Sequence, residues 1–158
     1  MSASPPFFAA EWFNTKSNPR LEDYRGRVLV VEAFQMLCPG CVSHGLPQAQ
    51  RIDAAFDRDK VAVIGLHSVF EHHAAMQPVA LEAFLHEYRI RFPVAVDMPG
   101  EPGPLPRTMA AWGLEGTPSL VLIGRDGRIR ARHLGQVADL VIGAQIMQLM
   151  LEEDGADG

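Results

Sequence analysis

Two apolar runs rich in valine and isoleucine, Val28 to Phe34 and Val61 to Leu66, are the clearest pattern along the chain. Runs of this kind are typical of strands that are buried on both faces of a mostly parallel sheet. Phe92 to Val96 predicts a third, shorter strand. Ser119 to Ile123 and Arg128 to His133 are separated by a turn that contains Asp-Gly, and this arrangement predicts an antiparallel hairpin.

Apolar residues at helical spacing occupy the segments between these strands. Four helices are predicted, at Cys41 to Asp57 with a kink or restart at Pro47, Pro78 to Ile90, Thr108 to Trp112 closed by Gly113, and Ala138 to Leu151. Alternating strands and helices followed by a hairpin predict an α/β domain, with a central mixed sheet and helices on both faces. We expect a single domain over residues 1–158, with residues 1–7 and 152–158 flexible.

Composition narrows the class of protein. The chain has 158 residues, 47% of them hydrophobic, which fits one domain with a sizeable core. Its formal net charge is −5 and it has no long basic run, so we expect no nucleic-acid partner. The first eight residues lack the basic and apolar regions of a secretory signal, and no apolar run approaches the roughly 18 residues of a membrane span. We therefore expect a soluble, cytoplasmic, monomeric protein without a membrane partner.

Cys38 and Cys41 are the only cysteines, and they lie where the first apolar strand should end and a helix should begin. A Cys-x-x-Cys pair can close a small disulfide ring or hold half of a metal site, and without further cysteines for a four-thiolate site the redox interpretation is favoured. A helix N-terminus favours a thiolate at Cys38, and the thiolate is the attacking species in disulfide exchange. The right-handed crossover rule places this turn at the carboxyl edge of the sheet, where such folds bind ligands.

Four segments in this order resemble the thioredoxin-like superfamily, and within it the TlpA/ResA-type (redoxin) branch. Cys38-Pro39-Gly40-Cys41 stands where the family has its active cysteines, and Gly116 to Leu120 resembles the loop that presents a cis-proline beside them. Leu21 to Val28, preceded by Trp12 to Thr15, looks like the lead-in to the first central strand. Arg89 to Asp97 looks like the inserted junction between a helix and a strand. The resemblance implies a thioredoxin-like fold and a thiol–disulfide oxidoreductase that acts on disulfides or thiols of partner proteins, with no cofactor or resident metal.

The resemblance also implies the catalytic roles. Cys38 attacks and Cys41 resolves the mixed disulfide, for which Cys41 must lose a proton. Glu32, six residues before Cys38, stands where thioredoxin has a buried acid. Burial in a valine-rich strand should raise the pKa of Glu32 toward the range that is useful for proton transfer. The alternative is a glutamate at the strand end that reaches solvent or caps a nearby helix.

Substrate binding is assigned by the same resemblance to Leu37, Thr117 and Pro118. The family implies a cis Thr117-Pro118 bond, although most X–Pro bonds are trans and an ordinary trans turn is the alternative. Three features depart from the family pattern. The dipeptide between the cysteines is Pro-Gly instead of the Gly-Pro of thioredoxin or a histidine-containing pair. Leu37 replaces the tryptophan that usually precedes the first cysteine, and Pro47 lies six residues after the second cysteine instead of the usual five.

A cluster of histidines leaves a second function open. His67, His72 and His73 follow the second apolar strand, so we expect them at the same sheet edge as the cysteines. Together with Cys38, Cys41 and His44 they could complete a tetrahedral zinc site, which would indicate a metal-binding or metallochaperone module. They could also donate protons to the exchange, or form a solvated polar loop.

A thiol peroxidase is the third hypothesis, and the sequence disfavours it. That class needs a proline and a threonine or serine at fixed offsets upstream of its reactive cysteine. The corresponding positions are Val30 and Gln35 before Cys38, or Ala33 and Cys38 before Cys41, and none of them supplies the required residue.

Overall fold

The computed structural model describes residues 4–101 and 103–153. Within these residues, six strands form one sheet in the order β1-β4-β3-β2-β5-β6. β2, β3 and β4 run parallel, whereas β1, β5 and β6 are antiparallel to their neighbours, so the predicted mixed sheet is confirmed. The strands are β1 (Ala9–Phe13), β2 (Val28–Phe34), β3 (Val61–His67), β4 (Val94–Asp97), β5 (Ser119–Ile123) and β6 (Ile129–Leu134).

The helices cover both faces of this sheet, as predicted. They are α1 (Leu46–Ala55), α2 (Pro78–Glu87), α3 (Arg107–Ala111) and α4 (Asp139–Met150), together with short 3-10 turns at Leu21–Tyr24 and His73–Ala75 and a π-helical turn at Cys41–Gly45. Buried residues of α1, α2 and α4 share one hydrophobic cluster, and those of α3 and the first 3-10 turn share another. The sheet lies between the two clusters.

β2 is the central strand, and all seven of its residues are buried. Successive side chains of a strand point to opposite faces, and Val28, Val30 and Phe34 belong to the cluster of α1, α2 and α4. Leu29 and the other odd-numbered residues belong to the cluster of α3. Glu32 is even-numbered, so this alternation directs its carboxyl group toward the face that α1 and α4 cover.

Turn chemistry predicted from the sequence is confirmed at two glycines. Gly127 has φ +87° in the β5–β6 hairpin, and Gly113 has φ +68° directly after α3. Both values lie in the left-handed region that glycine adopts without steric cost. The hairpin is closed by a 2.9 Å hydrogen bond from the Gly124 N–H to the carbonyl of Arg128.

Two parts of the chain differ from the sequence interpretation or extend it. β1 was not predicted as a strand, since the sequence analysis described only Trp12 to Thr15, as a segment that precedes the lead-in, and β4 begins at Val94 instead of Phe92. Of the terminal segments expected to be flexible, residues 1–3 and 154–158 lie outside the described residues. Within the described part, the Phe7 ring lies 5.9 Å from that of Trp12, and the Glu152 carboxylate forms an ion pair with Arg130. Among the described helices, none combines the length and apolarity needed to cross a membrane.

Candidate active site

Cys38 and Cys41 form a disulfide directly after the carboxyl end of β2, at the predicted edge of the sheet. Cys38 is half-buried, whereas Cys41 is completely buried. Residues 39 and 40 are already helical, and the Cys41 N–H donates a 3.2 Å hydrogen bond to the Sγ of Cys38. The Cys38 side chain therefore caps the helix start, in the position from which an N–H and the helix dipole stabilise a thiolate.

The helix that begins here contains one wide turn. The N–H of Leu46 donates to the carbonyl of Cys41, five residues earlier, which is the hydrogen-bond pattern of a π-helix. This turn holds one residue more than an α-helical turn, which accounts for the six-residue step from Cys41 to Pro47. Pro47 then lies in the first turn of α1, as the predicted restart requires.

A second loop lies against the disulfide. The Thr117-Pro118 bond is cis, as the resemblance implied, and the Thr117 carbonyl oxygen is 3.6 Å from the Sγ of Cys38. The carbonyl of Pro118 accepts a 2.8 Å hydrogen bond from the Gly135 N–H, which fixes the loop to the end of β6. Leu37 is 57% exposed beside Cys38. Two of the predicted substrate-binding residues, Leu37 and Thr117, thus adjoin the half-buried sulfur, and Pro118 follows in the same loop.

Glu32 is buried, so the alternative of a solvent-reaching glutamate is wrong. Its exposed fraction is 1%, and burial raises the pKa of its carboxyl group well above the usual value. Oε1 has no hydrogen-bond partner among the residues that the structure describes. A Cβ placed on Gly45, at the end of the π-helical turn, would collide with this oxygen and would lie 2.8 Å from the Cβ of Pro118. The carboxyl group therefore lies beside both the cysteine-bearing turn and the proline loop.

The histidines do not form a metal site with the cysteines in the part of the chain that the structure describes. His67 is 1% exposed in β3, and its Nε2 accepts a 3.3 Å hydrogen bond from the Met36 N–H. Burial lowers its pKa to about 4, so the neutral imidazole is the form that suits this acceptor role. His72 and His73 are exposed. Over residues 4–101 and 103–153, no group of three or more His, Cys, Asp or Glu side chains is arranged to hold a metal ion.

Gln35 is a site residue that the sequence analysis missed in this role. It is 1% exposed; its Nε2 lies 3.4 Å from the hydroxyl of Thr117, and its Oε1 accepts a 3.1 Å hydrogen bond from the Phe70 N–H. The side chain thereby links the proline loop to the segment that follows β3. A glutamine that directly follows a buried strand was the available signal, but its partners are 82 and 35 residues away in sequence.

Comparison with known proteins agrees with this geometry. The family model described as Redoxin matches residues 7–141. The chain belongs to the redoxin family. With its closed Cys38–Cys41 disulfide at the start of a helix, this redoxin is a thiol–disulfide oxidoreductase with a thioredoxin-like fold.

Solved structures extend the comparison over nearly the whole chain. A thioredoxin-like superfamily protein is 57% identical, with a TM-score of 0.93 over 96% of this chain and 99% of that one. A thiol-disulfide isomerase from Corynebacterium glutamicum is 52% identical, with a TM-score of 0.91 over 96% of this chain and 97% of that one. The exposed lipoprotein thioredoxin of Streptococcus pneumoniae, at 20% identity and a TM-score of 0.65 over 83% of this chain and 91% of that one, shares the fold. No curated protein sequence matches the chain significantly.

Proposed function

We propose that this redoxin exchanges its Cys38–Cys41 dithiol or disulfide with disulfides or thiols of partner proteins. The observation that carries the proposal is the asymmetry of the two sulfurs. Cys38 is half-buried, caps a helix and lies 3.6 Å from the Thr117 carbonyl, whereas Cys41 is fully buried. A partner can therefore reach the first sulfur, and the second is held back for resolution.

The reducing direction consists of two displacement steps. The Cys38 thiolate attacks one sulfur of the partner disulfide, so that the partner S–S bond breaks and a mixed disulfide and a partner thiolate form. Cys41 then gives its proton to the ionised carboxylate of Glu32, and the Cys41 thiolate attacks the Sγ of Cys38. The mixed disulfide breaks, the Cys38–Cys41 bond closes, and the second partner thiolate leaves and takes up a proton. Two electrons pass from the dithiol to the partner, and the oxidising direction reverses these steps.

The proline loop is proposed to align the partner chain. The backbone of Thr117 adjoins Cys38 and presents polar groups to an extended segment, in the manner of β-strand addition. Exposed Leu37, directly before Cys38 in the chain, adds an apolar contact. Burial of its side chain by a partner would favour binding by roughly 1.5–3 kcal/mol at most.

Trapping of the mixed disulfide tests the assignment. Cys41→Ser should accumulate a covalent adduct with a disulfide-containing protein substrate such as insulin, because Cys38 attacks and nothing resolves the product. Cys38→Ser, the matched control, should trap nothing. In the reduced wild type, iodoacetamide at mildly acidic pH should label Cys38 before Cys41. Preferential labelling of Cys41, or an adduct on Cys38→Ser, would contradict the proposed roles.

Equilibration with glutathione buffers would supply the direction of electron flow. A potential near that of thioredoxin indicates a reductase, and one near that of DsbA indicates an oxidant. The cytoplasmic location and the monomeric state stay predictions from the sequence. Cell fractionation and analytical ultracentrifugation test them.

A further inference from the structure

Gly45 brings the backbone of the cysteine-bearing turn into contact with two other parts of the site. It is buried at the end of the π-helical turn. A Cβ at this position would clash with the Oε1 of Glu32, and would lie 3.2 Å from its Cδ and 2.8 Å from the Cβ of Pro118. Real Cβ atoms almost never approach other heavy atoms within 3.0 Å, so any larger residue must displace the carboxyl group, the proline loop or the turn.

We propose that Gly45 is a positioning residue for the exchange reaction, because its missing side chain lets the Glu32 carboxyl group lie against the turn that carries Cys41, beside Pro118. The inference rests on the proposed proton transfer from Cys41 to Glu32. Proton transfer depends first on geometry, and a displacement of about 1 Å can slow a reaction by about a hundredfold. The Glu32 Oε1 has no hydrogen bond within the described residues, so its close approach to the Gly45 backbone is the contact that limits its position on this side.

Among the described residues, no ion pair with a neighbouring charged residue holds the Glu32 carboxyl group, so we expect its proton transfer to depend mainly on where the carboxyl group lies. β5 carries no titratable side chain, Arg51 of α1 and Asp139 of α4 are exposed and paired to each other, and Asp53 of α1 is paired with Arg58. Burial is the cause of the raised pKa of Glu32. The other titratable groups on the elements packed around it are Cys41 and His44 on the turn, His67 on β3, Asp53 on α1, and the Arg51–Asp139 pair.

A two-phase reaction separates attack from resolution. Reduced protein is mixed with excess 5,5′-dithiobis(2-nitrobenzoate), and the first thionitrobenzoate reports attack by Cys38 while the second reports resolution by Cys41. Both rates are measured from about pH 5 to about pH 9 for wild type, Gly45→Ala, Glu32→Gln and the double variant. Gly143→Ala is the matched control, because Gly143 lies within helix α4 and an added Cβ would meet nothing within 4 Å.

We expect Gly45→Ala to leave the first phase within about twofold of wild type, to slow the second about tenfold and to shift its pH midpoint. In the Glu32→Gln background the same substitution should change neither the rate nor the midpoint further. The inference is overturned if Gly45→Ala behaves like Gly143→Ala, or if its effect persists undiminished without the Glu32 carboxyl group. A wild type that shows no exchange would refute the proposed function itself, whereas a Glu32→Gln variant identical to wild type would refute the proposed proton transfer to Glu32 and leave the exchange standing.

A second variant covers the case in which Gly45→Ala does not fold. Glu32→Asp shortens the side chain by one methylene and withdraws the carboxyl group from the glycine. We expect Gly45→Ala combined with Glu32→Asp to regain cooperative urea unfolding and to resolve at the rate of Glu32→Asp alone. Equal loss of folding in both backgrounds would overturn the inference.

Discussion

Replacement of Glu32 by glutamine should change the stability of the protein in a way that depends on pH. The pKa of Glu32 is raised by burial in the folded state, so this state keeps its proton at pH values where the unfolded chain has lost it. The unfolding free energy of wild type therefore falls as pH rises from about 4.5 to the raised folded pKa, and is level above it. Glu32→Gln lacks this dependence because glutamine does not titrate.

The size of the effect follows from proton linkage. Between about pH 4.5 and the folded pKa of Glu32, the unfolding free energy of wild type should fall by up to about 1.4 kcal/mol per pH unit relative to that of Glu32→Gln. Below about pH 4.5 the carboxyl group is protonated in both states and the difference should level off. The pH at which the difference reaches its upper plateau gives the folded pKa of Glu32 directly.

The measurement is urea unfolding followed by tryptophan fluorescence, from about pH 4 to about pH 9. The oxidised protein is used, because disulfide-bonded cysteines do not titrate. Glu82→Gln is the control, since Glu82 is exposed on α2. A difference between wild type and Glu32→Gln that stays constant over the whole range would refute the argument, because a buried carboxyl group without a hydrogen-bond partner cannot be indifferent to its charge.

Three further predictions concern other buried or exposed groups. Burial lowers the pKa of His67 from 6.5 to about 4. Wild type should therefore lose about 3 kcal/mol of unfolding free energy as the pH falls from about 6.5 to about 4, and His67→Gln should not show this loss in the same urea titration. Gln48→Ala should cost about 1–3 kcal/mol in urea, because Gln48 is 2% exposed and donates to the Val137 carbonyl at 2.7 Å; unchanged stability would contradict this. Leu37→Ala should raise KM for a protein substrate severalfold yet change stability by less than about 0.5 kcal/mol, and an equal effect on a small disulfide would count against the docking role.

The sequence predicted most of the fold because its strongest signals are local. The valine-rich runs of β2 and β3 and the Asp-Gly turn of the hairpin each specify structure within a few residues. β1 was missed as a strand because it is a short edge strand with two exposed residues, and its partner β4 lies more than 80 residues further along the chain. Pairing of that kind leaves no periodic signal in β1 itself.

In the candidate site, too, the features with a local sequence signal were predicted and those that depend on distant segments were not. Spacing and resemblance predicted both cysteines, the burial of Glu32 and the cis bond before Pro118. The hydrogen bond from Met36 to His67 and the link from Gln35 to Thr117 join segments distant in sequence, and their residue types also occur in solvated loops. Polar contacts between segments distant in sequence therefore could not be predicted from the sequence.

Pro118 is the common neighbour that holds these parts together. A Cβ on Gly40 would lie 3.3 Å from its Cδ, and one on Gly45 would lie 2.8 Å from its Cβ, so the proline ring packs against the cysteine-bearing turn where side chains are absent. Glu32 approaches Gly45 from β2, and its Oε1 has no hydrogen bond to any described residue. Van der Waals contact can fix a carboxyl group in this way without stabilising its charged form, whereas a salt bridge would keep the carboxylate ionised. A carboxyl group that is to accept a proton from Cys41 and return it needs a raised pKa. Van der Waals contact leaves the pKa of Glu32 raised by burial, whereas a salt bridge would lower it.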